Sequence, residues 1–123
     1  MTKQTFQTQS AVPLSKAVLA NGLLYLSGDG SIDPVTRTLV PGDARAQTRR
    51  TLLNLAQTLT ALGSSLEKAI KVTVYLTDMR DYGSMNEVYA EFFPKDPPAR
   101  TTVGVASLPV PGLIVEIELV ALP

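Results

Sequence analysis

The last quarter of the chain sets the tightest limit on what it can fold into. Residues 98–105, Pro98-Ala99-Arg100-Thr101-Thr102-Val103-Gly104-Val105, read as a β-strand, and so do residues 113–120, Leu113-Ile114-Val115-Glu116-Ile117-Glu118-Leu119-Val120. Each carries charge where a strand ordinarily holds valine or isoleucine. Such a charge is costly unless it is paired or faces a polar cavity. Alternation puts Arg100, Thr102 and Gly104 on one face of the first strand, and Ile114, Glu116, Glu118 and Val120 on one face of the second. As sequence neighbours joined through Pro109-Val110-Pro111-Gly112, the two strands are expected to pair as a hairpin. A guanidinium fork matches a carboxylate, and a glutamate beside it can hold and activate a water or donate a proton. Paired with Arg100, Glu116 is expected to stay ionised at neutral pH. The same two residues equally suit a structural ion pair, and Glu118 reads as a sheet-edge or interface charge.

Upstream, residues 15–20 and 23–27 flank Asn21-Gly22, a type I′ turn signal for a hairpin. Ser27-Gly28-Asp29-Gly30 breaks that pattern; it matches neither a P-loop nor a dinucleotide fingerprint and reads as a turn. Asp43 is an N-cap candidate. Leu52, Leu55, Leu59 and Leu62 recur at helical spacing until Gly63 ends the stripe. Ser64-Ser65-Leu66-Glu67 has the form of a capping box for one short turn. Ile70, Val72, Val74 and Leu76 alternate with Lys71, Thr73 and Tyr75 as a strand. Asp81 or Ser84 caps a second helix with Met85, Val88, Tyr89 and Phe92 on its inner face. The order is β-β-α-β-α-β-β, with a further strand expected near Phe6. Helices can cover only one face of such a sheet, and an uncovered apolar face predicts association into a closed ring.

Residues 1–123 are expected to form a single domain. Eleven basic and eleven acidic side chains cancel, so the chain has no overall field to attract nucleic acid. Its one close basic cluster, Arg45, Arg49 and Arg50, contains no aromatic residue for base stacking. There is neither cysteine nor histidine. That removes a thiol nucleophile, a Ser-His-Asp triad and the usual zinc ligands, leaving proton transfer to Asp, Glu, Lys, Tyr, hydroxyls or water. No signal peptide and no membrane-length apolar run is found, so a cytoplasmic protein is expected.

The run from Pro98 to Pro109, with Val115-Glu116-Ile117-Glu118, closely resembles the C-terminal signature of the RidA/YjgF family, also known as endoribonuclease L-PSP or translation-inhibitor proteins. Leu24-Tyr25-Leu26-Ser27-Gly28, Val72-Thr73-Val74-Tyr75-Leu76-Thr77-Asp78-Met79 and the helix from Met85 to Phe93 resemble further family segments. The resemblance implies a chorismate-mutase-like α+β fold, a sheet with two helices on one face, and a homotrimer with a central β-barrel and clefts between subunits. It implies hydrolysis of reactive 2-imino and enamino acids to 2-oxo acids and ammonia, without a cofactor. By the same resemblance Arg100 grips the substrate carboxylate and Glu116 orients the attacking water. Ser27, Gly28, Asn86 and Thr102 line the pocket. Two positions depart: Leu14 stands where the family has a tyrosine, and Asp29 where it has glutamine. Leu14 implies relative preference for apolar side chains. Two other readings stay open: a non-catalytic trimer that binds a small carboxylate, and an RNA-cleaving translation inhibitor, against which the neutral charge and missing histidine argue.

Overall fold

The computed structural model describes residues 2–8 and 11–123. In chain order the elements are β1 (Lys3–Gln7), β2 (Ser15–Ala20), β3 (Leu23–Gly30), α1 (Ala44–Ala61), β4 (Ala69–Leu76), α2 (Tyr82–Phe92), β5 (Ala99–Gly104) and β6 (Val115–Ala121). The strands form one mixed sheet in the order β1-β2-β3-β6-β4-β5. The strand expected near Phe6 is β1, antiparallel to β2. Asn21 and Gly22 turn β2 into β3 with φ of 51° and 76°, the two positive values that a type I′ turn requires.

The expected hairpin of the last two strands does not form. β4 lies between them, parallel to β5 and antiparallel to β6. The reason is in the connections. β4 runs through α2 to β5, a crossover long enough to return the chain in parallel. Residues 105–114 then step across β4 instead of turning tightly. β6 is consequently an interior strand between β3 and β4, so Glu118 is not an edge charge.

The alternation in β4 and β6 sorts the two faces. Val72, Val74, Leu76, Val115, Ile117, Leu119 and Ala121 are buried beneath the helices with Leu52, Leu55 and Leu59 of α1 and Met85 and Tyr89 of α2. Lys71, Thr73, Tyr75, Glu116, Glu118 and Val120 occupy the opposite face and are half-buried. Both helices therefore lie on one side. The open side mixes apolar and charged groups rather than being wholly apolar.

Helix ends follow local chemistry. Asp43 caps α1 by accepting from the Ala46 amide at 2.9 Å, and Gly63, at φ 80°, ends it. The capping box at residues 64–67 does not form: Ser65 takes the N-cap position of the turn Leu66–Lys68 without a side-chain bond. The Ser64 hydroxyl instead donates to the Leu122 carbonyl at 2.6 Å. Asp81 holds the N-cap position of α2 but makes no side-chain cap, whereas Asp78 caps the 3-10 turn just before it by accepting from the Arg80 amide.

α1 also carries a buried polar seam beside its leucine stripe. Gln47, Thr51, Asn54 and Thr58 recur at helical spacing and are all at most 6% exposed. Gln47 donates to the Gly112 carbonyl at 2.9 Å and accepts from the Ile114 amide at 2.8 Å. Asn54 donates to the Gly30 and Ile32 carbonyls. Through Gln47 and Asn54 the seam ties α1 to the entrance of β6 and the exit from β3, while Thr51 and Thr58 return their hydroxyls to carbonyls of α1.

Candidate active site

The residues singled out in the sequence fall into two groups on opposite faces of the sheet. Arg100 is in register with buried Val72, whereas Glu116 is in register with Tyr75 on the open face. One strand also separates them. They form no ion pair within the chain, which removes the structural ion-pair reading for a single subunit.

The first group gathers where β5 meets α2. The Arg100 guanidinium lies over the Tyr89 ring at 4.6 Å and near the Tyr82 ring at 5.7 Å. It donates to the Tyr82 hydroxyl at 3.3 Å and approaches the Met85 sulfur at 3.9 Å. The ion pairs among the described residues are Arg45–Glu87, Arg49–Glu91 and Arg80–Asp78. Arg100 is in none of them. The two contacts engage one N–H on each terminal nitrogen, and the ring faces hold the guanidinium without using more, so its remaining N–H groups are available to an anion. Asn86 lies on the stripe of Tyr82 and Tyr89, a turn from each. Its side chain has no hydrogen bond among the described residues. Thr102 follows Arg100 on the same face, and its buried hydroxyl has no partner there either. Burial pushes the Tyr89 hydroxyl up to about 12, so it stays protonated.

The second group surrounds an irregularity in β3. Between Leu26 and Asp29 the register with β6 shifts, so that Ser27 and Gly28 together oppose the single residue Glu118 in a bulge. A Cβ at Gly28 would stand 2.8 Å from Glu116 Oε2, so only glycine lets this carboxylate lie against the bulge. The Ser27 hydroxyl donates to the Ser15 carbonyl at 2.6 Å. Leu14, Ser27, Gly28 and Asp29 all line a cavity of about 230 Å³. On the open face Tyr75 donates a short hydrogen bond to Glu118.

The Glu116 carboxyl titrates above its ordinary range. Burial is the main cause, and Asp29 and Glu118 add like charge. The expectation that it sits beside Arg100 therefore fails for the single chain, where the charged groups that act on it are carboxylates. Burial also raises Asp29, against the Gly30 amide, the charges of Lys16 and Arg37, and the Asn54 side chain. Among the described residues no group of three or more Asp or Glu is arranged to hold a metal ion.

Comparison with known proteins agrees with this architecture. The family described as Endoribonuclease L-PSP matches residues 5–122. The chain belongs to this family, the RidA/YjgF family. A RutC family protein of Pyrococcus horikoshii is 48% identical over 109 residues, 89% of this chain and 86% of that one. A mouse protein named 2-iminobutanoate/2-iminopropanoate deaminase is 40% identical, over 89% of this chain and 80% of its own. A Rid-family structure from Yersinia pestis superposes with a TM-score of 0.91 at 37% identity, covering 99% of this chain and 100% of that one. The six-stranded sheet with two helices is thus the α+β architecture of RidA/YjgF structures.

Several contributors to the site escaped sequence reading. Of the two rings that seat Arg100, Tyr89 was legible only as an inner-face residue of the second helix, and Tyr82 was not singled out. Gln47 and Asn54 carry a signal in their spacing with Thr51 and Thr58, but polar residues on an apolar helix read as its wet side. Arg45 and Arg49, the basic cluster of the sequence, pair with Glu87 and Glu91 of α2. Arg50 donates to Asn54.

No helix among the described residues is long and apolar enough to cross a membrane.

Proposed function

We propose that this RidA/YjgF protein hydrolyses reactive 2-imino and enamino acids to 2-oxo acids and ammonia, at sites formed between the subunits of a cytoplasmic homotrimer. The observation that carries this reading is the division of the site. Arg100 lies on one face without a carboxylate partner, Glu116 sits against a glycine bulge on the other, and only a second subunit can bring them together. In such a cleft Arg100, Asn86 and Thr102 of one chain meet Glu116, Gly28, Ser27 and Leu14 of the next. The naming of a mouse relative as an imine deaminase supports the chemistry.

The reaction asks little of the protein. Arg100 takes the substrate carboxylate in a bidentate contact, which fixes the C=N carbon before Glu116. Glu116 accepts a proton from water as the oxygen adds to that carbon, then passes the same proton to the imine nitrogen, which completes the carbinolamine and restores the carboxylate. Collapse of the carbinolamine breaks the C–N bond, releases ammonia and leaves the 2-oxo acid. A carboxyl raised above its usual range suits this shuttling better than a fully acidic one. No residue type missing from the chain is required.

The test is subunit complementation. Arg100→Ala and Glu116→Gln are each expected to be inactive on imines generated in situ by an amino-acid oxidase. Mixed trimers from coexpression should regain about a quarter of the wild-type rate, since a site is whole when one chain supplies Arg100 and its neighbour Glu116. Mixed trimers as inactive as their parents would rule out the shared site.

A further inference from the structure

The cavity beneath the β3 bulge contains a charge that the reaction above does not use. Leu14, Leu26 and Leu55 give the cavity apolar walls, and Gly28 is common to it and to the resting place of Glu116. Asp29 stands where this cavity meets a smaller one of about 110 Å³ that continues toward Asn54. Lys16 and Arg37 border both and are exposed. Asp29 Oδ1 accepts from the Gly30 amide at 2.9 Å. Neither Lys16 nor Arg37 forms an ion pair with it among the described residues. Asp29 is thus a half-buried carboxylate with acceptor positions left over, in a cavity that mixes leucine walls with polar groups and shares Gly28 with the resting place of Glu116.

A partly desolvated carboxylate with acceptor capacity beyond the Gly30 amide favours a ligand that brings a donor. The surrounding charges narrow the choice. A cationic side chain would have to enter past Lys16 and Arg37. An anionic one would meet Asp29. A neutral donor satisfies the carboxylate and leaves the cations in solvent. We propose that this cavity is the substrate side-chain subsite, and that it selects imino acids whose side chain has an apolar stem and ends in a neutral hydrogen-bond donor, a carboxamide above all. The inference rests on the reading of Arg100 and Glu116 as the reacting centre. The apolar preference implied by Leu14 then applies to the stem, and Asp29 governs the end.

Two near-isosteric pairs test it: imines from asparagine and leucine, and imines from glutamine and methionine, with aspartate and arginine as charged controls. Rates are measured at one pH, 8, for all variants. In wild type, kcat/KM for the carboxamide is expected to exceed that of its apolar partner about tenfold in at least one pair, because a site built around a hydrogen bond rejects the analogue lacking it. Both charged imines should fall below the preferred carboxamide. Asp29→Asn should bring the ratio within a pair close to one, since the new amide no longer offers a full acceptor. Equal or better use of the apolar imines, a preference for a charged one, or a ratio that survives Asp29→Asn overturns the inference. If no imine is hydrolysed, the proposed function fails, and calorimetry decides the inference alone. Tighter binding of 2-oxosuccinamate than of 4-methyl-2-oxopentanoate, lost in Asp29→Asn, supports the subsite; equal binding, or none, sinks it.

Discussion

Arg100 depends on its rings for position and on its fork for function. A charge-assisted bidentate contact is worth about 1.5–3 kcal/mol, so Arg100→Ala should lose at least one to two orders of magnitude in kcat/KM with an unchanged circular dichroism spectrum. Arg100→Lys should also be weak, because a point charge on a flexible stem cannot replace the fork. Wild-type rates in Arg100→Ala would make the arginine structural. Glu116 yields a prediction with a definite sign. The Asp29 charge helps to raise the Glu116 carboxyl, and the acid limb of kcat/KM reports the free enzyme's base. Removing that charge in Asp29→Asn eases ionisation of Glu116, so the acid limb should move to lower pH. A limb that stays, or moves to higher pH, would separate the observed base from Glu116.

At the scale of elements, the β3 bulge and the α1 seam do the positioning. Gly28→Ala would put a methyl group 2.8 Å from Glu116 Oε2, the far end of a flexible side chain. The fold should therefore tolerate it while the carboxylate is displaced. The expected result is a melting temperature close to wild type with kcat reduced about tenfold or more, as misplacement of a reacting group commonly costs. Gln47 lies on the other side of the balance. Gln47→Leu strands the Ile114 amide and Gly112 carbonyl, at about 1–3 kcal/mol for each buried group left unsatisfied. Urea denaturation should show a lower midpoint, and an unchanged midpoint would mean that water replaces the clamp.

The whole molecule has one finished face and one unfinished one. Helices cover the first. The second presents Lys71, Thr73, Tyr75, Glu116, Glu118 and Val120 from its central strands, and exposed Tyr25 beside them. Half-buried carboxylates on an interior strand are hard to explain in a lone subunit and easy to explain beside another chain. A trimer is therefore expected at micromolar concentration, and light scattering that reports a monomer would remove the proposed cleft along with it. The family's nuclease name finds no matching charge here: the chain is neutral, and its basic helix face is engaged with acidic side chains of α2.

Much of this was readable in the chain because it is local. The type I′ turn at Asn21-Gly22, the Asp43 cap, the stop at Gly63 and the alternation of residues 70–76 each rest on steric or hydrogen-bonding demands met within a few residues. The same alternation placed Arg100 with Thr102 and Glu116 with Glu118, and it holds in the structure. What needed tertiary structure was everything that depends on which strand lies beside which. Backbone pairing is nearly indifferent to side chains, so nothing within residues 98–120 announces that β4 will come between β5 and β6. That single insertion makes β5 parallel, moves Glu118 from edge to centre, and leaves Arg100 and Glu116 on opposite faces, each with a free end. The sequence by itself determined the elements and the chemistry they carry; the packing of the sheet decided that no single chain holds both halves of that chemistry together.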